Sequence, residues 1–426
     1  MLQTEQAATQ VRIAPARSGW ATVMALFLFM ALNFADKAVV GLLAVPLMRD
    51  MHLSASQFGL VGSAFFALFA ISAIGFGLVA DRLNTTWLIA GLALVWVVAQ
   101  VPMIWPTSLA TLLVCRIVLG AGEGPALPLA MHVTYECFDD RQRSLPTIVV
   151  QLGATAGLIL AGPTLTWISE HWHSRAAFLA LSLSGVVWIG LWLLIRLVAD
   201  GGEQSGEGKA ARLRVPATRA SDCLRLMRNR TVRCVLLQSF ISYGVVAFGI
   251  TWMPAYFRLG LGYSAATAGW LFALQVAGQI PVGLAASTLS HMLMKRRAST
   301  RLARGVLVSV CCVAGGLLLA GVMAPLAPLA KVLLTGLACA LATQVFTFGP
   351  QLVAEVVPQE NRAAMLSWVH ALATLAGLIA PLALGHVVGA MAGARGFEIG
   401  FGVTGVLLVA SGAAGFAWLR PERAGR

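Results

Sequence analysis

Long apolar runs dominate the chain, and short polar stretches separate them. Twelve runs of about 18–27 residues can be drawn, each long enough to cross about 30 Å of hydrocarbon as a helix. Their predicted limits are 20–46, 58–80, 87–105, 108–134, 145–167, 176–198, 233–257, 264–289, 303–325, 329–353, 363–389 and 397–419. Open strands cannot satisfy their backbone groups in lipid, so the pattern predicts an all-α membrane protein.

The longest polar interruption divides the twelve runs into six and six. It begins with glycine and serine, which indicates a flexible linker, and the basic stretch 219–233 is a candidate surface helix. We predict a cytoplasmic tail at 1–19, a six-helix half at 20–198, a cytoplasmic linker at 199–232, a second six-helix half at 233–419 and a tail at 420–426. The first tail lacks the pattern of a cleavable signal peptide.

Composition agrees with this class, because 58% of the 426 residues are hydrophobic and 11% are charged. The net charge of +13 lies mainly in short loops, so the predicted surrounding is a lipid bilayer and not nucleic acid. With the N-terminus inside, 23 of the 30 lysines and arginines fall in cytoplasmic segments and five, Lys331 among them, fall in outer segments. This predicts both termini on the cytoplasmic side of a bacterial inner membrane. The seven cysteines form no CxxC pair, so neither zinc nor disulfides are indicated.

Four charged residues lie well inside the apolar runs, Asp36 and Lys37 in the first and Arg116 and Glu123 in the fourth. A charge at mid-membrane depth costs at least about 2.5–3.5 kcal/mol, so these faces are predicted to line a cavity or meet partners. Arg116 and Glu123 are two turns apart on one face, and glycines with Pro125 make that helix closely packed and bent. We expect Asp36 to face Arg116 and Lys37 to face the cavity. A purely structural ion pair, or a Lys37 that extends to the outer interface, are the alternatives.

The loop after the second run reads Gly77-Leu-Val-Ala-Asp81-Arg82, and this motif with two six-helix halves resembles the major facilitator superfamily. Asn33-Phe-Ala-Asp36-Lys37 is similar to the Asn-Tyr-x-Asp-Arg usual in its anion:cation symporter group, which carries organic anions. Other matching pieces are Arg116, Gly120, Gly122, Glu123, Gly124, Pro125 and Pro128, Tyr243, Trp252-Met-Pro254-Ala-Tyr256-Phe257, Ala354-Glu355-Val-Val-Pro358, Arg362 and Thr374-Leu-Ala-Gly377-Leu-Ile-Ala-Pro381.

Several positions depart from the family pattern. The loop continues Asn84-Thr85-Thr86 where Gly-Arg-Arg is usual, and Ser287 or Ser290 stands where the loop after the eighth run usually has an acid. Asp81 and Arg82 are expected to form a gating loop that holds an inward-closed state, with its charge network weakened by these changes. An ordinary solvated turn is the alternative. His370 stands where the group often has asparagine.

The chemistry expected of the charged set is coupling between an anion and a proton. Arg116 offers a fork suited to a carboxylate, Lys37 adds a second contact, and Asp36 and Glu123 are the candidate proton carriers. The hypothesis is that protonation of either acid frees the cations to bind the anion. In the second half, Tyr243, Gln344 and His370 are predicted to contact substrate, although each suits a helix–helix hydrogen bond as well. His370 is also a candidate titrating group.

These features predict uptake of a small organic anion, such as a sugar acid or aromatic acid, by alternating access in a monomer driven by the proton motive force. No cofactor, metal site or enzyme activity is indicated. An exporter or antiporter is the alternative, but the Gly-Pro-x-x-Gly-Gly element of drug antiporters is incomplete at Gly162-Pro163. A sensor that binds a ligand without transport is a further alternative, and nothing resembles its output domain.

Overall fold

Twelve helical spans organise the protein in the computed structural model, which describes residues 16–79, 84–105, 108–139, 142–200, 220–391 and 393–421. Within these ranges all regular structure is helical, which confirms the prediction of an all-α membrane fold. Spans 1–12, in chain order, are Gly19–Leu42, Ala55–Ala73, Thr85–Ile104, Leu109–Cys137, Ser144–His171, Ser174–Leu197, Arg230–Gly260, Ala265–Lys295, Arg301–Gly321, Pro328–Val356, Gln359–Ala390 and Ala394–Trp418.

Several spans consist of two helices joined end to end. Span 4 is built from Leu109–Glu123 and Ala126–Cys137, and the break falls at Gly124 and Pro125, as the glycine–proline pair predicted. Comparable breaks separate Ala55–Ala64 from Phe69–Val79, Ala265–Ala277 from Gln279–Lys295, Pro328–Ala342 from Gln344–Val356, and Gln359–Thr374 from Ala376–Ala390. Two short helices, Ala44–Asp50 and Ala220–Leu226, precede spans 2 and 7, and span 7 ends in a π-helical turn at Tyr256–Gly260.

Tryptophans of span 6 tie the first half together. Trp188 and Trp192 stack with 5.6 Å between ring centroids. The Nε1 of Trp188 donates a hydrogen bond to the carbonyl of Ala25 at 2.8 Å, and that of Trp192 donates to the carbonyl of Thr86 at 2.9 Å. Each indole N–H thus has a partner in spans 1 or 3, which fixes the three spans around one core.

Glycines bring the two halves into direct backbone contact on the face away from the start of span 1 and the end of span 12. A Cβ at Gly59 of span 2 would lie 2.6 Å from the carbonyl oxygen of Pro381 in span 11. Gly162 of span 5 packs equally closely on the backbone of Gly269 in span 8. Small residues are what permit such close approach between membrane helices.

Polar contacts reinforce the same closure. Ser63 Oγ accepts a hydrogen bond from the backbone N–H of Leu382 at 3.1 Å, and Glu170 Oε1 accepts one from the backbone N–H of Ala266 at 3.2 Å. Both bonds join one half to the other. The halves are therefore closed on the face opposite Gly19 and Trp418, which begin span 1 and end span 12, and the site described next lies on the other side of this closure.

Candidate functional site

Lys37 of span 1 forms an ion pair with Glu123 of span 4. The distance between Lys37 Nζ and Glu123 Oε2 is 3.2 Å, and the lysine also donates to Asn33 Oδ1, one turn earlier, at 2.6 Å. The Glu123 side chain is completely buried, whereas 12% of the Lys37 side chain remains exposed. Because Lys37 has two partners inside the helix bundle, this structure excludes the alternative in which it extends to the outer interface.

Arg116 lies beside this pair but makes different contacts. Its guanidinium carbon lies 4.7 Å from the ring centroid of Phe65 in span 2, and its Nη1 donates to the backbone carbonyl of Asp36 at 3.5 Å. Only 6% of Arg116 is exposed. Arg116 is therefore buried against spans 1 and 2, and Lys37 is the more accessible of the two cations.

Arg116 meets Asp36, as expected, but through the backbone carbonyl, and no ion pair joins its guanidinium to the Asp36 carboxylate among the described residues. That carboxylate lies close enough to the side chain of Gln100 in span 3, and to Arg116, to interact electrostatically with both. Adjacent residues on a helix point about 100° apart, so once Lys37 faces span 4 the side chain of Asp36 must turn toward span 3. The four charges still lie together, but as one lysine–glutamate pair with an arginine and an aspartate on either side.

Several buried polar atoms of this cluster have no hydrogen-bond partner among the residues that the structure describes. They are Asn33 Nδ2, Asp36 Oδ1, Gln100 Oε1, Arg116 Nε and both carboxylate oxygens of Glu123, of which Oε2 takes part in the ion pair with Lys37. Buried polar groups are usually satisfied, so a group of open donors and acceptors indicates a place that binds protons, water or a ligand. The carboxylates of Asp36 and Glu123 each have room for a proton at one oxygen.

The glycines of span 4 allow span 2, which contains Phe65 and Phe69, to pack close to the charged side chains of the site. A Cβ at Gly120 would overlap the backbone carbonyl of Phe65, and one at Gly124 would overlap that of Phe69. Spans 2 and 4 therefore touch backbone to backbone at these positions. The closest aromatic contact of the site belongs to span 1, where the ring centroid of Phe34 lies 4.1 Å from Lys37 Nζ.

Two of the three residues predicted in the second half face the same space. The Tyr243 ring of span 7 lies 5.8 Å from Phe66 of span 2 and 6.3 Å from His370 of span 11, measured between centroids. Tyr243 is close enough to interact electrostatically with Glu123, and His370 with Lys37. The structure thus brings Tyr243 and His370 to the charged cluster.

Gln344, the third residue predicted in the second half, forms no hydrogen bond with the charged cluster within the residues that the structure describes. It is buried in span 10, and its Nε2 donates to the carbonyl of Ala340 in its own span at 2.8 Å. Its Oε1 has no partner in the described part of the chain. A helix-internal bond of this kind matches the alternative given for it from sequence, and a contact with substrate stays a prediction.

The loops after spans 2 and 8, whose sequences depart from the family pattern, lie partly within the described residues. Asp81 and Arg82 lie outside the described residues, so their gating role stays a prediction. Asn84 caps the helix of span 3, because its Oδ1 accepts from the backbone N–H of Thr86 at 2.9 Å. Ser290, near the expected position of an acid, is buried in span 8, whereas Ser287 is exposed.

A second buried ion pair was missed by sequence reasoning. Lys331 of span 10, assigned above to an outer segment, lies inside its helix and forms an ion pair with Glu398 of span 12 at 2.5 Å. The hydroxyl of Tyr256 donates a hydrogen bond to the same carboxylate at 3.4 Å. The signal in the sequence was weak, since Lys331 and Glu398 are the third and second residues of the predicted runs 329–353 and 397–419 and so resemble charges of an outer segment. Among the described residues, no three His, Cys, Asp or Glu side chains gather as a metal site.

Comparison with known proteins gives consistent matches over most of the chain. The Major Facilitator Superfamily matches residues 26–351. The hexuronate transporter of Bacillus subtilis (strain 168) is 25% identical over 85% of this chain and 87% of its own length. The D-galactonate transporter of Escherichia coli O6:H1 is 24% identical over 70% of this chain and 74% of its own.

Solved structures show the same architecture. A bacterial homologue of the human lysosomal transporter Spinster, in an inward-facing and occupied conformation, aligns with a TM-score of 0.75 at 18% identity. The alignment covers 93% of this chain and 95% of that one. This likeness concerns the fold.

Proposed function

Because this chain belongs to the Major Facilitator Superfamily, we propose that it takes up a small organic anion together with protons by alternating access. The family and the relatives are transporters, so the chain is a multi-pass membrane transporter and not an enzyme. The names of two relatives are those of sugar-acid carriers, which supports a carboxylate as the transported group.

The observation that carries the proposal is the buried pair of Lys37 and Glu123. A lysine whose partner is a fully buried carboxylate can exchange that partner for the carboxylate of a substrate. The exchange is favourable only when Glu123 is neutral, because an unpaired buried carboxylate is costly. Protonation of Glu123 and binding of the anion at Lys37 are thereby coupled.

Asp36 and Arg116 are assigned supporting roles in this cycle. Asp36 has an oxygen without a partner and is the second candidate for the proton. Arg116 adds positive potential beside Lys37 while its side chain is held by Phe65. We propose that Arg116 contacts the anion once the site is occupied.

Alternating access supplies the movement. The two halves meet on one face through glycine backbones and two interhalf hydrogen bonds, while Tyr243 and His370 of the second half face the charges of the first. Rocking of one half against the other would open that closure and expose the site to the opposite side of the membrane. We propose Tyr243, His370 and Gln344 as the contacts that the second half makes with substrate.

We propose a monomer in the bacterial cytoplasmic membrane, with both termini inside, driven by the proton motive force without a cofactor. The positive charge of the loops on one side supports the orientation.

A substitution of Glu123 tests the coupling. Purified Glu123→Gln in proteoliposomes should exchange substrate across the membrane at a rate near that of the native protein, because glutamine mimics the protonated acid. Accumulation driven by a pH gradient should fall to the level of protein-free liposomes, because glutamine cannot release a proton.

The matched control is Glu136→Gln on the same span, whose side chain is 41% exposed and pairs with His132. That variant should accumulate substrate normally. If Glu123→Gln still accumulated substrate against its gradient, Glu123 would not be the coupling residue, and Asp36→Asn would become the variant to measure.

A further inference from the structure

The accessible cation of the site is surrounded by aromatic rings. Lys37 Nζ lies 4.1 Å from the ring centroid of Phe34, 5.4 Å from that of Phe69 and 6.0 Å from that of Phe65. Rings at these distances attract the ammonium group through their π-faces and exclude water from its apolar side. An anion that binds Lys37 therefore meets aromatic carbon next to the charge.

The aromatic wall continues into the second half. Phe66 meets the ring of Tyr243 nearly edge to face, at 5.8 Å and 85°. Tyr243 in turn meets Phe346 at 6.1 Å and His370 at 6.3 Å, again with nearly perpendicular planes. The aromatic wall thus includes residues of spans 1, 2, 7, 10 and 11. Four of its rings are half-buried, so part of the surface of each ring is exposed: Phe34, Phe66, Tyr243 and Phe346.

The same wall offers few hydrogen bonds to the body of a substrate. Its phenylalanines offer none, and the polar groups within it are the hydroxyl of Tyr243 and the imidazole of His370. A polyhydroxy acid brings several hydroxyl groups, each of which must keep a partner when it leaves water. A flat aromatic body needs no such partners and gains from offset or edge-to-face contact with the rings.

Phe34 sharpens this contrast. It is a phenylalanine in the Asn33–Lys37 stretch, so it presents a ring that has no hydroxyl group. Of the rings near Lys37 it is the closest. Beside the bound carboxylate, the open donors of Asn33 and Arg116 can thus hold the charged group, whereas the ring of Phe34 offers a carbon surface without a hydroxyl to the body of the substrate.

We infer that the anion carried by this site is an aromatic monocarboxylate and not a polyhydroxy sugar acid. Its carboxylate replaces Glu123 at Lys37, and its ring lies against Phe34, Phe66 and Tyr243. The inference rests on the proposed function, because it names the substrate class of the same site. It separates this chain from what the names of its sugar-acid relatives state of those proteins.

Binding of three monocarboxylates of equal charge tests the inference. Isothermal titration of the purified full-length protein would compare benzoate, cyclohexanecarboxylate and D-galactonate at one mildly acidic pH. Benzoate should bind about tenfold more tightly than D-galactonate, and about threefold more tightly than cyclohexanecarboxylate, as contacts with one or two rings predict. Lys37→Met should abolish binding of benzoate, and Lys37→Arg should retain it.

A pair of phenylalanine substitutions adds a second readout. Phe34→Tyr should narrow the preference for benzoate over D-galactonate by about threefold, because it adds one hydrogen-bonding group beside the carboxylate. Phe416→Tyr, on an exposed ring of span 12, should leave the preference unchanged.

The outcomes separate the two levels of the argument. Lys37-dependent binding of D-galactonate as tight as that of benzoate would overturn the aromatic substrate class and leave organic-anion transport standing. Equal affinity for benzoate and cyclohexanecarboxylate would overturn the role of the rings. If none of the three acids bound in a Lys37-dependent manner, both the inference and the proposed function would fail.

Discussion

Two buried lysine–glutamate pairs, one in each half, differ in what surrounds them. Lys37 and Glu123 have neighbours with open donors and acceptors. Glu398 instead receives both Lys331 and the hydroxyl of Tyr256, so its charge is compensated locally. The first pair is therefore suited to exchange partners, and the second is suited to hold spans 7, 10 and 12 together.

Stability measurements should separate the two roles. Lys331→Met leaves Glu398 buried without its cation and should destabilise the protein by about 3–5 kcal/mol. The double variant Lys331→Met with Glu398→Gln should recover most of the loss, because no unpaired charge remains. Thermal unfolding in detergent measures the effect, and a double variant no more stable than the single one would contradict it.

Sequence reasoning found the charged residues of the site but not their partners. Asp36, Lys37, Arg116 and Glu123 were detectable because each is a charge inside an apolar run. Which acid meets which cation depends on how span 1 is rotated about its axis, and the hydrophobic pattern of a span buried on most sides does not define that rotation. The pairing of Lys37 with Glu123 therefore had to come from the structure.

At the level of helices, packing between the halves depends on glycines that meet backbone carbonyls. The contact of Gly59 with Pro381 and that of Gly162 with Gly269 leave no room for a side chain. Close-packed interfaces of this kind respond to one added methyl group by separating, since overpacking costs about 1–3 kcal/mol. These contacts thus set how strongly the closed face stays closed.

Gly59→Ala should shift the protein toward the state in which this face is open. A shift of about 1–2 kcal/mol changes the populations by a factor of about 5–30. Thr251→Cys, at a position that is 6% exposed and packs on Gly62 across the interface, would report the opening through labelling by a membrane-impermeant maleimide.

The control for this experiment is Gly91→Ala. A Cβ there would meet nothing within 4 Å, so it should leave labelling unchanged and add about 0.5–1 kcal/mol of helix stability. Equal labelling of Gly59→Ala and Gly91→Ala would show that the interhalf contact does not control the opening.

The twelve spans were predictable because runs of apolar residues long enough to cross a bilayer are unambiguous. The break in span 4 was predictable from Gly124-Pro125. The break between Ala277 and Gln279 has a comparable signal, because Pro281 follows Gly278 by three residues and cannot donate a hydrogen bond to the carbonyl of Ala277. The break between Ala64 and Phe69 was not predictable in this way, because residues 65–68 include neither glycine nor proline.

For the molecule as a whole, the twelve spans of the described residues place the start of span 1 and the end of span 12 on one face, and the distribution of positive charge predicts that this face is cytoplasmic. A fluorescent protein fused after Arg426 should therefore fluoresce, because it matures in the cytoplasm. Alkaline phosphatase at the same position should be inactive. The reverse pair of results would invert the orientation and place the glycine closure on the inner face.

The balance of charge at the site has an electrical consequence. With all four groups ionised, the charges of Asp36, Lys37, Arg116 and Glu123 sum to zero, so under the proposed alternating access an empty carrier would move no charge through the membrane field. If one proton enters with one monocarboxylate, the loaded carrier is neutral as well. Each uncompensated charge would add about 2.3 kcal/mol per 100 mV of membrane potential. The membrane potential then does not contribute to transport by such a carrier, and the pH difference alone sets the substrate concentration ratio that it can reach.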